Sequence, residues 1–260
     1  MFAFHRRPAL ALFAAAVSLL TLRTSGLAQD SPAKPNDAVK PVPRDANWMK
    51  RHQSFLDRAK KGPVDVLFVG DSITQGWEGN GKKVWAEKFE KWTPANFGIG
   101  GDRTQHVLWR ITEGKELDGV DPKVIVMMIG TNNFSSNTPD EVAAGVKAIL
   151  DEFHKQKPKA KVLLLGVFPR SAKPGKELNE KGVTMVAKDE LQPKTKLVND
   201  LLAKFDDGKA VKYLDIGDKF LDDKGGLAKK TMPDFLHLSE PAYAIWADAI
   251  AKPVEELLKK

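Results

Sequence analysis

The chain has 260 residues, of which 42% are hydrophobic and 29% charged, and its formal net charge is +7 at neutral pH. This length and composition are typical of a folded globular protein and not of a disordered chain. The chain contains no cysteine, which excludes disulfides, thiolate metal sites and a cysteine nucleophile, and it has no block of basic residues interleaved with aromatic ones, so we expect no nucleic-acid binding.

The first 28 residues have the pattern of a secretory signal peptide. Arg6-Arg7 gives a basic start, residues 8–22 are apolar but short for a membrane span, and Gly26-Leu27-Ala28 supplies small residues for cleavage. An uncleaved anchor helix is the alternative, although Arg23 ends the apolar run early. We therefore predict a signal peptide at 1–28 and an exported protein, periplasmic or extracellular, with no membrane insertion once the signal is removed.

Residues 29–44 contain four prolines among small and charged residues, a composition typical of an extended linker without a core. From residue 45 to residue 260, strand patterns alternate with helical ones. Alternation of this kind favours a parallel sheet with helices on both faces, so we predict one three-layer α/β/α domain over 45–260. The five predicted strands lie at 64–69, 95–97, 123–129, 162–167 and 211–216.

The first predicted strand runs directly into the sequence Gly70-Asp71-Ser72-Ile73-Thr74. This places a serine hydroxyl at the carboxyl edge of the sheet, where open α/β sheets bind their ligands. Serine and aspartate are also common helix caps. Taken alone, this stretch is consistent with Ser72 as a helix cap and with Ser72 as a nucleophile.

Other turns at the same predicted edge also carry polar groups. Gly100-Gly101 follows the second strand, Asn132 follows the third, and Asp234 and His237 precede the last helix. Each feature alone fits a turn or a helix cap. Because parallel strands end at one edge of a sheet, we expect these groups to converge there with Ser72.

The converging set is what acyl transfer requires. A serine hydroxyl needs a base to remove its proton, and an imidazole with an ordinary pKa near ~6.5 can do so. We therefore predict Ser72 as nucleophile, His237 as base and Asp234 as the carboxylate that orients the ring. The predicted oxyanion hole consists of the backbone N–H groups of Ser72 and Gly101 and the side-chain amide of Asn132.

The chain resembles the GDSL, or SGNH, hydrolases, a family named for four blocks that contain Ser, Gly, Asn and His. The resemblance covers roughly residues 62–258 and is strongest with the branch of intracellular platelet-activating factor acetylhydrolase catalytic subunits. It implies a sheet in flavodoxin-like strand order and the same site residues in the same roles. The signal-like start and a longer stretch at 171–190 differ from that branch. The four blocks are Gly70–Thr74, Asn96–Asp102, Gly130–Asn133 and Asp234–Leu238.

Three branched residues, Ile73, Thr131 and Leu236, adjoin the predicted site residues and would bind the acyl group of the substrate. Branched side chains so close to the serine would narrow the acyl pocket. The predicted function is therefore a serine-dependent carboxylic-ester hydrolase that removes short acyl groups, above all acetyl, from a small ester or an acylated glycan through an acyl-enzyme intermediate.

Three other functions fit parts of the same pattern. An O-acyltransferase would pass the acyl group to a sugar hydroxyl instead of water. A lysophospholipase or thioesterase is favoured if the stretch at 171–190 forms an apolar cleft. A non-catalytic binding module is disfavoured because all five chemical positions are intact. The five histidines have no metal-binding spacing, so we expect no metal and no cofactor.

Overall fold

The computed structural model describes residues 1–3, 35–171, 183–185 and 191–259. The chain divides into two units, Met1–Pro35 and Asn36–Lys260. The predicted signal peptide, apart from its first three residues, lies outside the described residues, as does most of the stretch at 171–190.

Five parallel strands form the central sheet of the second unit, and their spatial order is β2-β1-β3-β4-β6. Every residue of β1 and of β3 is buried, as expected for parallel strands that are covered on both faces. The predicted single α/β domain with a five-stranded parallel sheet in flavodoxin-like order is confirmed. The strands are β1 (Val66–Gly70), β2 (Pro94–Gly98), β3 (Val124–Met128), β4 (Lys161–Leu165) and β6 (Val211–Leu214).

Two short strands were not predicted. β5 (Val183–Met185) and β7 (Gly226–Ala228) pair antiparallel in a separate two-stranded sheet. Each has only three residues, which is too few for a strand periodicity to be visible in the sequence. The stretch at 171–190 therefore contains at least the strand β5.

Alternate residues of each central strand face two different cores. Leu67 and Val69 face the core that is covered by α1, α4, α5 and α6. Val66 and Phe68 face the core that is covered by α2, α3 and α7. The helices are α1 (Ala46–Ala59), α2 (Ser72–Gln75), α3 (Lys82–Phe89), α4 (Thr104–Ile111), α5 (Pro139–Gln156), α6 (Leu191–Leu202) and α7 (Glu240–Leu258).

Residues 36–44, which we call the N-terminal arm, pack on the domain. Ala38 is fully buried, and its carbonyl oxygen accepts a hydrogen bond of 2.8 Å from the Thr104 hydroxyl. The Val42 N–H donates to the carbonyl oxygen of Gln105 at 3.3 Å. The predicted linker is therefore wrong from Asn36 onward. Its contacts are made by polar side chains and backbone groups, including Asn36, Asp37 and Arg44, which leave no apolar periodicity in the sequence.

No helix within the described residues is both long enough and apolar enough to span a membrane.

Candidate active site

Ser72, His237 and Asp234 form a continuous row of hydrogen-bonded side chains. Ser72 is the first residue of α2, directly after β1, and its Oγ lies 2.8 Å from Nε2 of His237. Nδ1 of His237 lies 2.6 Å from Oδ2 of Asp234. With a proton on Nδ1, His237 donates to Asp234 and accepts from the Ser72 hydroxyl.

The loop before α7 presents Asp234 and His237 by burying their neighbours. Phe235 and Leu238 are inserted into the core, with 1% and 0% of their surface exposed. Phe235 adopts a left-handed backbone conformation (φ 60°), which is uncommon for a residue other than glycine. The two polar side chains consequently lie on the outer side of the loop, toward Ser72.

Asp234 remains ionised in this arrangement. Partial burial on its own would raise the pKa of its carboxyl, but hydrogen bonds from the ring and the backbone N–H of His237 outweigh burial and hold the pKa below its usual value. Its Oδ1 accepts from the backbone N–H groups of His237 at 2.7 Å and Leu236 at 3.0 Å. An ionised carboxylate here can stabilise a protonated imidazole.

The turn between β1 and α2 depends on close backbone approach. A Cβ at Gly70 would overlap the Thr74 hydroxyl and the carbonyl oxygen of Met128, so only glycine fits there. Asp71 then caps α2, since its Oδ1 accepts from the Ile73 N–H at 2.9 Å. As the first residue of the helix, Ser72 has a backbone N–H without an intrahelical acceptor.

The loop after β2 presents the backbone of Gly101. The Gly100 N–H donates to Oε1 of Gln75 at 2.7 Å, and the Asp102 N–H donates to the carbonyl oxygen of Ile99 at 3.1 Å. Gly101 lies between them with φ 77°, a conformation that favours glycine. Because the N–H groups on both sides are engaged, Gly101 is the candidate donor of this loop.

Asn132 lies in the turn that follows β3. Its Nδ2 donates to the carbonyl oxygen of Asp102 at 2.9 Å. An amide nitrogen has two hydrogens, so this bond fixes the amide. The second N–H has Asp71 Oδ2 as its acceptor at a long 3.5 Å, and it is the one that a ligand oxygen would engage. Gly101 and Asn132 line the same cleft, which has a volume of about 410 Å³.

The sequence profile of the GDSL-like lipase/acylhydrolase family matches residues 68–245. The chain belongs to this family. The chicken (Gallus gallus) platelet-activating factor acetylhydrolase IB subunit alpha2 is 39% identical over 229 residues, covering 88% of this chain and 90% of the relative. The rat (Rattus norvegicus) alpha1 subunit is 35% identical, and the alignment covers 82% of this chain and 85% of that subunit. The resemblance predicted from the four blocks is confirmed.

The solved structure of a GDSL-like lipase from Bacteroides thetaiotaomicron has the same fold. It superposes with a TM-score of 0.60 at 18% identity, covering 79% of this chain and 97% of that one. Family membership identifies the protein as a hydrolase that acts on esters.

The prediction of an exported protein is wrong. The relatives that match over 88% of the chain are platelet-activating factor acetylhydrolase IB subunits, which are intracellular enzymes. A basic start followed by a short apolar run is a feature of composition alone, which is why it misled the prediction.

The three predicted acyl-binding residues occupy different environments. Thr131 lines the cleft beside Asn132. The Ile73 side chain is buried in the core, and its carbonyl oxygen accepts a hydrogen bond of 2.7 Å from the Tyr243 hydroxyl. Leu236 is half-buried against the same core.

A buried ionic cluster behind the Gly101 loop was missed by the sequence prediction. Asp102, Arg110 and Glu116 are all fully buried. Arg110 Nε lies 3.0 Å from Asp102 Oδ2, and Arg110 Nη1 lies 2.6 Å from Glu116 Oε1. The sequence did contain a signal for this cluster. Arg110 shares the apolar face of α4 with Val107 and Ile111, and a charged residue on such a face indicates a buried partner of opposite charge.

Arg44, at the end of the N-terminal arm, was also missed. Its Nη1 donates to the carbonyl oxygen of Gly100 at 2.7 Å and to Asp102 Oδ1 at 3.2 Å. A Cβ at Gly101 would lie 3.2 Å from the same guanidinium group. Arg44 therefore covers one side of the Gly101 loop. It lies before the first of the four family blocks and belongs to none of them.

Within residues 35–171, 183–185 and 191–259, no group of three or more His, Asp or Glu side chains could hold a metal ion. That neither a metal nor a cofactor takes part stays a prediction.

Proposed function

We propose that the protein is a serine-dependent carboxylic-ester hydrolase that removes short acyl groups, above all acetyl, through an acyl-enzyme intermediate. The observation that carries the proposal is the row of side chains at hydrogen-bond distance, 2.8 Å from Ser72 to His237 and 2.6 Å from His237 to Asp234. A nucleophile, a base and a group that orients the base, in that order, are the requirement for activating a serine.

In the proposed first step, His237 Nε2 takes the hydroxyl proton as Ser72 Oγ attacks the ester carbonyl carbon. The carbonyl oxygen becomes an oxyanion, which the N–H groups of Ser72 and Gly101 and the amide of Asn132 stabilise. The carbon–oxygen bond to the alcohol then breaks. His237 returns the proton to the departing alkoxide, and the acyl group stays on Ser72.

In the proposed second step, water replaces the alcohol. His237 takes a proton from water, the resulting hydroxide attacks the acyl carbon, and the proton passes to Ser72 as the acid leaves. The site is open to solvent, since 42% of the His237 side chain and 55% of the Asp234 side chain are exposed. Water therefore has direct access to the base.

Packing beside the serine supports a short acyl group. Thr131 lines the cleft beside Asn132 and is only 2% exposed, so this branched side chain next to the proposed oxyanion donor is held in place by its neighbours. A site with fixed branched side chains discriminates by roughly 1–3 kcal/mol for each additional methylene that does not fit.

The experiment is the hydrolysis of p-nitrophenyl esters from acetate to octanoate by the full chain and by the Ser72→Ala variant. We expect the highest rate with acetate and a loss of roughly 10⁴-fold or more in kcat in the variant, since the nucleophile is absent. Ser54→Ala, which removes an exposed hydroxyl on α1, is the matched control and should behave as the parent protein.

Circular dichroism and thermal unfolding of both variants must match those of the parent protein. Equal activity in Ser72→Ala and the parent would overturn the proposed nucleophile. A maximum at octanoate, with Ser72→Ala inactive, would leave the serine hydrolase in place and overturn only the short acyl group.

A further inference from the structure

Asn133, the residue after the proposed oxyanion donor Asn132, has a fully buried side chain. With no exposed surface it cannot contact a substrate, and the mechanism given above gives it no role. A buried amide costs free energy unless its oxygen and its nitrogen are both hydrogen-bonded. Here both are bonded, and the partners of the amide show what it holds in place.

The amide of Asn133 binds the start of α4. Its Oδ1 accepts the backbone N–H of Thr104 at 3.0 Å, and Thr104 is the first residue of α4, whose N–H has no acceptor within the helix. Its Nδ2 lies 3.2 Å from the Thr104 hydroxyl, 3.0 Å from Gln105 Oε1 and 2.9 Å from Asn137 Oδ1. Because the Thr104 hydroxyl itself donates to the carbonyl oxygen of Ala38, it accepts from Nδ2, and this orientation of the amide satisfies both of its ends.

The bond to Thr104 joins two loops that the sheet does not join. In the sheet, β2 and β3 lie on opposite sides of β1, so the loops after β2 and β3 meet across the end of β1, where Ser72 lies. Asn132 makes the neighbouring contact between these loops, since its Nδ2 donates to the carbonyl oxygen of Asp102 at 2.9 Å. Two consecutive asparagines therefore hold the loop that carries Gly101 at two points, Asp102 and Thr104.

The backbone of Asn133 is fixed independently of its side chain. Its N–H donates to the carbonyl oxygen of Gly130 at 3.0 Å, and its carbonyl oxygen accepts from the N–H groups of Ser136 at 3.0 Å and Asn137 at 2.9 Å. Removal of the side chain leaves the groups that form these three bonds in place. A substitution at this position therefore acts mainly on the connection to the loop after β2, and not on the turn that carries Asn132.

We propose that Asn133 is a positioning residue of the oxyanion hole, and that its side chain fixes the N–H of Gly101 relative to the amide of Asn132. The inference rests on the proposed function, because the spacing of these two donors matters only if an oxyanion forms beside them. Preorganised donors stabilise a developing oxyanion without the cost of moving to reach it. Loss of the Asn133 amide should therefore lower kcat and leave KM nearly unchanged.

The test measures kcat and KM for p-nitrophenyl acetate, per folded molecule of the full chain, in Asn133→Ala, Asn132→Ala and the double variant. We expect Asn133→Ala to lower kcat roughly ten-fold or more, with KM within about two-fold of the parent value. In the Asn132→Ala background the same substitution should lower kcat by about three-fold at most, since the amide that it positions is absent. General damage to the fold would lower kcat by the same factor in both backgrounds.

Thr104 supplies a milder pair of variants, which carries the test if Asn133→Ala does not fold. Thr104→Val removes the hydroxyl that Asn133 Nδ2 binds and keeps the backbone N–H, whereas Thr104→Ser keeps both groups. We expect Thr104→Val to lower kcat about three-fold, as for the loss of one neutral hydrogen bond. Thr104→Ser should have the parent kcat.

Asn199→Ala is the matched control, because Asn199 is another buried amide that holds a loop at the same edge of the sheet. Its Oδ1 accepts the N–H of Val167, which follows β4, at 2.8 Å, and its Nδ2 donates to Asp215 Oδ2 at 2.9 Å. Asn199→Ala should lower the melting temperature, as Asn133→Ala does, but leave the kcat of the folded protein unchanged.

Parent kcat in Asn133→Ala, or in Thr104→Val if Asn133→Ala does not fold, would overturn the positioning role. An equal loss from Asn133→Ala with and without the Asn132 amide would overturn it too, as would a loss of the same size in Asn199→Ala. If Ser72→Ala is inactive in any of these cases, the proposed hydrolase stands and only the role of Asn133 fails. Parent activity in Ser72→Ala would instead overturn the proposed function itself.

Discussion

At the scale of single residues, Asp71 is the most unusual group near the proposed nucleophile. Its carboxyl is fully buried, and burial raises its pKa to about 7, with the negative charge of Asp102 acting in the same direction. The hydrogen bond from Ile73 acts against this rise but does not cancel it. Asp71 therefore keeps its proton at pH values where an exposed aspartate has lost it.

The protonation of Asp71 predicts a specific dependence of stability on pH. Between about pH 4 and pH 7 the folded chain holds a proton that the unfolded chain has released, so the contribution of this group to the free energy of unfolding falls as pH rises. The contribution is complete below the unfolded pKa and is lost as pH rises through the folded pKa. Asp71→Asn removes the titration and keeps a side-chain oxygen for the Ile73 N–H.

We compare the free energy of unfolding of Asp71→Asn with that of the parent protein. The difference, variant minus parent, should be about 3 kcal/mol larger at pH 8 than at pH 4.5. The measurement is urea unfolding followed by tryptophan fluorescence at the two pH values. Asp121→Asn, at an exposed position, controls for the loss of a carboxylate and should show no such change. A stability difference for Asp71→Asn that is independent of pH would contradict the prediction.

At the scale of elements, the N-terminal arm supports the loop that carries Gly101. The arm bonds to both residues at the start of α4, Thr104 and Gln105, and Arg44 at its end holds the carbonyl oxygen of Gly100. A candidate oxyanion donor must be fixed to within a fraction of an ångström to be effective. We therefore expect the arm to contribute to the function of the domain as well as to its packing.

Two truncations test the role of the arm. Removal of residues 1–35, which form the first of the two units, should leave kcat for p-nitrophenyl acetate unchanged. Removal of residues 1–44 should lower kcat roughly 10- to 100-fold, because the Gly101 loop loses its support. Arg44→Ala in the full chain should reproduce much of that loss. If the chain that begins at residue 45 has the parent kcat, the arm has no role in the site.

The same elements show which features the sequence could predict. β1 and β3 are continuous apolar runs, and the turns that follow parallel strands share one edge, so Ser72, Asn132 and their partners could be brought together from their positions alone. Arg44 could not be predicted, because its contact with Gly100 spans 56 residues and begins in a segment without apolar periodicity. β5 and β7 were missed for the same reason, since three residues give no pattern.

At the scale of the whole molecule, the proposed triad depends on the core that α2, α3 and α7 cover. Ser72 and His237 are 165 residues apart in the chain, and they meet because α7 packs on the same face of the sheet as α2. Trp77, Tyr243 and Trp246 form the contact, with ring centroids 4.5 Å apart for Trp77–Tyr243 and 4.9 Å apart for Trp77–Trp246. This aromatic cluster therefore determines the distance between the proposed nucleophile and its base indirectly.

Trp246→Ala tests the contribution of the cluster to the molecule as a whole. Trp246 is 1% exposed, and removing a buried tryptophan side chain costs about 3–5 kcal/mol because a cavity remains. For a domain of this size we expect the melting temperature to fall by roughly 10 °C. Leu197→Ala, which truncates a leucine that is 54% exposed on α6, is the matched control and should change stability by less than about 0.5 kcal/mol.

Activity at 20 °C separates stability from positioning in the Trp246→Ala variant. The Tyr243 hydroxyl still holds the carbonyl oxygen of Ile73 in this variant, so the turn at Ser72 keeps its most direct support. We expect kcat per folded molecule to fall much less than in Ser72→Ala, since no group of the proposed triad is removed. Equal melting temperatures for Trp246→Ala and Leu197→Ala would contradict the role of the cluster, because the two residues differ mainly in burial.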